Sequence, residues 1–208
     1  MFLLAFGLFF AAQVAAPNDF LVIAGQRAGP ITAETTHADL LRIFGKERVT
    51  DEGPEDVGEG NFQRVTILNR THPAGSATIL WTDGDLQRRV LEIRFCTYAT
   101  VKCRWHTREQ ISRGTSLRTI EKLNGIPFTM SGFDWDYGGT ILSFGNGRLS
   151  YLKHGCGSII LRLAPSHRRR QLEDQLQGDR DFSSAHPAMR ELNPEVGEMD
   201  MEFPDCRK

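Results

Sequence analysis

Apolar and polar positions along this chain follow two rhythms, one near the helical period and one alternating. The helical rhythm occurs twice. "ITAETTHADLLRIFG" (Ile31–Gly45) and "ISRGTSLRTIEKLNG" (Ile111–Gly125) align at an offset of eighty, which pairs Ile31 with Ile111, Thr35 with Thr115, Leu40 with Ile120, Ile43 with Leu123 and Gly45 with Gly125. In each copy hydroxyl side chains (Thr35 and Thr36, Thr115 and Ser116) can accept from the unpaired amides of a starting helix, and Thr36 with Asp39 has the spacing of a capping box. Leu40, Ile43 and Phe44, or Leu117, Ile120 and Leu123, then place an apolar stripe on one helical face. Gly45 and Gly125 end the helices, because glycine takes a positive φ without a Cβ clash, and Pro127 reinforces the second stop.

The alternating rhythm follows each helix. It covers Arg64–Asn69, Ala77–Thr82 and Val90–Phe95 after the first, and Phe128–Phe133, Gly139–Phe144 and Ser158–Leu163 after the second. Thr78, Ile79 and Leu80 reappear as Thr140, Ile141 and Leu142, and Asp83–Gly84 and Asn146–Gly147 lie just after those strands as tight-turn signals. The expected fold class is α+β: two tandem helix-plus-antiparallel-meander repeats in two layers, with the helices on one face of the sheet. The boundaries that follow are 1–16 for an export signal, 17–107 for an N-terminal segment with the first repeat, 108–165 for the second repeat, and 166–208 for a charged C-terminal extension. Within that extension a basic cluster (His167–Gln171) is followed at once by acids, Pro187–Leu192 reads as a helical turn, and Val196–Phe203 alternates as a last strand. "DEGPEDVGEG" (Asp51–Gly60), with five acids and three glycines, is expected to be a solvated loop; it lacks the spacing of a calcium-binding loop.

Composition narrows the setting. A chain of 208 residues with 40% hydrophobic content can form a packed core, and 25 basic against 26 acidic residues give a net charge of -1. That balance supplies no sequence-wide attraction to nucleic acid or to an anionic membrane, so nucleic acid is not an expected partner. Met1–Ala16, "MFLLAFGLFFAAQVAA", is shorter than the roughly 18 apolar residues that cross a bilayer, and Val14 and Ala16 stand at signal-peptidase positions. We read it as a cleaved signal, which places the mature chain in a bacterial periplasm or outside the cell with no stable membrane span. Four cysteines suit such an oxidising compartment and allow three pairings. The separation of seven favours Cys96 with Cys103, leaving Cys156 for Cys206.

In the second copy, Ile111, Gly114, Thr115, Leu123, Gly125 and Pro127 reproduce a cadence that resembles the repeat of the SmpA/OmlA (BamE) outer-membrane-assembly lipoproteins and the beta-lactamase inhibitory proteins. The first copy carries Glu34 in place of the glycine, and Lys46–Glu47 where the second has Ile126–Pro127. The resemblance, over residues 31–163, implies paired helix-and-sheet units whose concave face grips another protein. "WHT" (Trp105–Thr107) and "GFDWDYGG" (Gly132–Gly139) are similar to segments of exported bacterial proteins, and that likeness brings no activity with it.

Motifs for chemistry are sparse. There is no G-x-S-x-G, no H-E-x-x-H, no glycine-rich phosphate loop and no cysteine-nucleophile setting, and the six histidines are scattered. Asp134 and Asp136 flank Trp135, so in an extended stretch both carboxylates would share one face, as a glycosidase-type pair or a cation holder. The competing reading makes Trp135 core and the aspartates solvent or turn residues. Trp105 either presents an indole to a partner or seals the junction between repeats. We expect no cofactor and no metal. The expected function is an exported, non-enzymatic binding module for a protein or cell-envelope component, with Trp81, Trp105, Trp135 and Tyr137 as contact candidates beside Asp134 and Asp136. The alternatives are a hydrolase using those aspartates or a histidine, and an outer-membrane assembly factor.

Overall fold

The computed structural model describes residues 18–56, 60, 62–82, 86–97, 102–153, 157–165 and 174–203. The proposed signal, Cys156, Cys206, the Asp83–Gly84 turn, His154 and the basic cluster lie outside them. Both repeated segments are helices, α1 (His37–Phe44) and α2 (Leu117–Asn124). Their local bonding matches almost bond for bond. The Thr32 amide donates to Thr35 Oγ1 at 2.9 Å and the Ser112 amide to Thr115 Oγ1 at 3.0 Å. Thr36 Oγ1 accepts from the Asp39 amide at 3.2 Å, and Ser116 Oγ accepts from the Thr119 amide at 3.4 Å. Asp39 returns the first of these caps by accepting from the Thr36 amide at 3.1 Å. Gly45 and Gly125 have φ of 85° and 86°, and their amides close the last turns on Leu41 and Glu121. Ile31, Leu40, Ile111 and Ile120 are all wholly buried.

The strands are β1 (Val22–Ile23), β2 (Arg27–Ala28), β3 (Val49–Asp56), β4 (Phe62–Leu68), β5 (Ala77–Trp81), β6 (Val90–Phe95), β7 (Thr129–Ser131), β8 (Ile141–Ser143), β9 (Ser158–Ala164), β10 (Asp181–Ser183) and β11 (Glu195–Glu202). A third helix, α3 (Pro187–Leu192), precedes β11. They form a β1–β2 ribbon, a three-stranded sheet in the order β10-β7-β8, and a six-stranded sheet in the order β3-β4-β5-β6-β11-β9.

This overturns the expected fold class. The described residues make a mostly β molecule, eleven strands in three sheets with three short helices, and not a two-layer α+β fold with helices packed on one sheet. Three local causes are visible. First, Val49–Asp56 is a strand and not a solvated loop: it pairs with β4 around an irregularity between Glu52 and Glu55, and Asp51 accepts from Thr66 Oγ1 at 2.8 Å. Its charged, exposed side chains and Pro54 are what an edge strand carries to avoid unwanted pairing. Second, the second copy does not form a meander, because Asn146–Gly147 is not a hairpin turn. A Cβ on Gly147 would lie 2.1 Å from the Asn124 amide oxygen. Asn124 is buried there, donating to Ile126 O and Phe144 O and accepting from the Leu149 amide. The chain continues into a 3-10 turn (Ser150–Lys153) and returns as β9 in the other sheet. Third, the tail inserts β11 between β6 and β9, pairing antiparallel with both. A register shift between Val196 and Glu198 lets Val196, Met199 and Met201 all face the core.

One core unites both copies: Leu40 and Phe44 of α1, Leu117 and Ile120 of α2, and the inward residues Ile79, Trp81, Ile93, Phe95, Ile159, Leu161, Met199 and Met201. Each such aliphatic side chain contributes about 1.5–3 kcal/mol on burial. On the opposite face of the main sheet Val65, Ile67 and Leu80 form a separate buried cluster. Cys96 and Cys103 are joined by a disulfide with Cα atoms 5.9 Å apart, as their spacing suggested. No helix among the described residues is long and apolar enough to cross a membrane.

Candidate functional site

The aromatic candidates separate by burial. Trp81 is 1% exposed and Trp105 wholly buried, so neither offers contact area to a partner. Trp105 presents no indole to a partner: its ring packs against Phe20 and Phe95 at 5.1 and 5.0 Å, and its Nε1 donates to Ser76 O at 3.0 Å, all contacts within residues 17–107. Trp135 is half-buried and Tyr137 is 50% exposed.

Trp135 and Tyr137 sit in the connection between β7 and β8. Asp134 has a φ of 61° and the following residues turn, so the stretch is not extended and the argument that placed Asp134 and Asp136 on one strand face fails. Short-range turns win here because an aspartate tolerates the left-handed region and two glycines follow. The loop is stitched down on every side. The Gly132 amide donates to Arg180 O at 2.8 Å, the Phe133 amide to Leu176 O at 2.8 Å, the Gly139 amide to Gly132 O at 2.9 Å and the Leu163 amide to Gly139 O at 2.8 Å. Gly139 is required: its φ is 76°, and a Cβ would lie 2.0 Å from Leu163 O. Ser131 Oγ donates to Tyr137 O at 2.8 Å. The indole donates from Nε1 to Gly132 O at 3.0 Å and meets the Tyr137 ring edge-on, with centroids 5.6 Å apart. Asp134 and Asp136 are exposed beside this pair, and Asp134 accepts from Gln177 Nε2 at 2.9 Å.

The described histidines do not converge. His72 contacts Thr71 Oγ1, His106 the carbonyl of Arg104, and His186 the Phe182 ring. His37 belongs to a network that sequence reasoning missed. Its Nε2 lies 3.1 Å from Asp51 Oδ1, which also accepts from Thr66 Oγ1 and, at 3.2 Å, from Gln87 Nε2; Trp81 Nε1 donates to Thr66 Oγ1 at 3.1 Å. These groups come from helix α1, strands β3, β4 and β5 and the connection that carries Gln87, so no spacing signals them. Asp51 also lines a shallow polar depression of about 440 Å³ with Glu52, Gly53, Pro54, Glu55 and Arg64. Among the described residues no group of three or more His, Cys, Asp or Glu side chains is placed to hold a metal ion. On the outer face of the main sheet, burial and then the neighbouring Glu92 and Glu198 push the carboxyl of Asp200 up to about 7.

No family model, no characterised protein and no solved structure matches this chain. The functional reading therefore rests on the geometry above.

Proposed function

We propose that this chain is a non-enzymatic binding module for a protein or envelope component, working in a bacterial periplasm or outside the cell, and that its contact surface is the β7–β8 loop. The observation that carries this reading is the Trp135–Tyr137 pair, held partly out of the core on a loop whose backbone is fixed at both ends. A rigid aromatic loses little conformational entropy on docking and covers much area, which is why such residues dominate binding energies. Asp134 and Asp136 beside it favour a partner with a basic rim, which they would help to orient. The Cys96–Cys103 disulfide supports an oxidising compartment. The test places a photo-crosslinking residue at position 137 and exposes the protein to an envelope extract. The expected result is one discrete adduct that is competed away by unlabelled wild type and not by the Trp135→Ala variant. Equal competition by both, or a hydrolytic activity abolished by Asp134→Asn in a folded protein, would overturn the reading.

A further inference from the structure

Strand β11 is the seam of the main sheet, because it alone pairs with both β6 and β9. Register places Glu198, Asp200 and Glu202 on its outer face, next to Glu92 and Arg94 of β6 and to Ser158, Ile160 and Arg162 of β9. The cations there bond groups other than Asp200, although Arg162 Nε is buried without a hydrogen-bond partner. Arg94 holds Glu92 at 2.7 Å, Arg162 holds Glu198 at 3.0 Å, and Lys153, which feels the charge of Glu202, donates from Nζ to Ile141 O at 2.8 Å. Ser158 Oγ donates to Glu202 at 3.0 Å. Asp200 sits half-buried in the middle, opposite Arg94 on one side and the apolar Ile160 on the other. Among the described residues no hydrogen bond engages its carboxylate, which feels Arg94 and Arg162 through charge alone.

We propose that Asp200 is a proton-operated latch on this seam: protonated, it leaves β11 zipped to β6 and β9, and once ionised, among Glu92, Glu198 and Glu202 with Arg94 and Arg162 each bonded to another acid, it loosens that junction. Burial, and then Glu92 and Glu198, push the carboxyl up to about 7 in the folded chain against the opposing pull of Arg94 and Arg162. A carboxyl whose folded value lies above its unfolded one binds its proton more tightly when folded. It therefore adds stability that is complete below the unfolded value near 4 and is lost as pH rises through about 7.

Urea unfolding and amide exchange at about pH 5 and about pH 8 test the latch. In the wild type the urea midpoint falls between the two conditions. Over the same interval the β11 amides, corrected for intrinsic exchange, open about tenfold faster relative to those of β4 and β5. Asp200→Asn, which mimics the protonated acid, keeps one midpoint throughout. Glu92→Gln removes a like charge and the ion pair that Glu92 makes with Arg94, so the fall moves to lower pH. A flat wild-type midpoint, a wild-type slope retained in Asp200→Asn, or β11 amides that open no faster than those of β4 and β5 would each overturn the proposal.

Discussion

Trp105 and Tyr137 show how one residue class divides between roles. Truncating Trp105, wholly buried between Phe20 and Phe95, leaves a cavity and takes from the Ser76 carbonyl one of its two hydrogen bonds, the other coming from the Cys96 amide. Trp105→Ala should therefore cost about 3–5 kcal/mol in urea unfolding. Tyr137→Ala, half-exposed, should cost only about 0.5–1.5 kcal/mol, the worth of its edge-on contact with Trp135, and weaken binding. Sequence made these residues legible as aromatics in informative company, but the choices weighed for Trp135, extended strand or core, both missed its half-buried place in a turn. What it could not supply was exposure, which depends on strands distant in the chain. The extended conformation assumed for Asp134–Asp136 failed for a local reason: a left-handed aspartate before two glycines turns the chain.

At the scale of elements, the duplicated helices were the most legible feature, because their signals are local: a hydroxyl cap, an apolar stripe and a terminal glycine within fifteen positions. The matching caps predict matching costs. Thr36→Ala and Ser116→Ala should each lower stability by about 1 kcal/mol in urea titration, with the larger loss at Thr36, whose capping box is reciprocal. Equal and negligible effects would mean that tertiary packing alone holds the helices. Strands were read less completely. The acid-rich β3 was hidden because its composition is that of a loop, and its register is supplied by β4. Missing β3 also misled the comparison of copies: Thr78–Leu80 lies in the third strand after α1, whereas Thr140–Leu142 borders the second strand after α2. The literal match between those triplets marks similar in-and-out phase, with Ile79 and Ile141 both buried, and not equivalent places in a repeat.

For the whole molecule the decisive event is the arrival of β11 between β6 and β9, a non-local pairing that periodicity cannot reveal. The tail thus completes the sheet shared by both copies and buries Val196, Met199 and Met201 in the common core. Removing residues 195–208 should abolish the single cooperative unfolding transition, read by circular dichroism, rather than leave either copy folded. A surviving transition would show that one half is self-sufficient. The fold presents the β7–β8 loop as a braced aromatic projection, and the account of function stands on that surface. It is tested most directly by titrating the crosslinked partner against wild type, Trp135→Ala, Tyr137→Ala and Leu86→Ala, the last altering an exposed apolar side chain elsewhere. The account predicts that both loop variants bind about tenfold or more weakly while Leu86→Ala binds as wild type; four equal affinities, or a loss confined to Leu86→Ala, would contradict it.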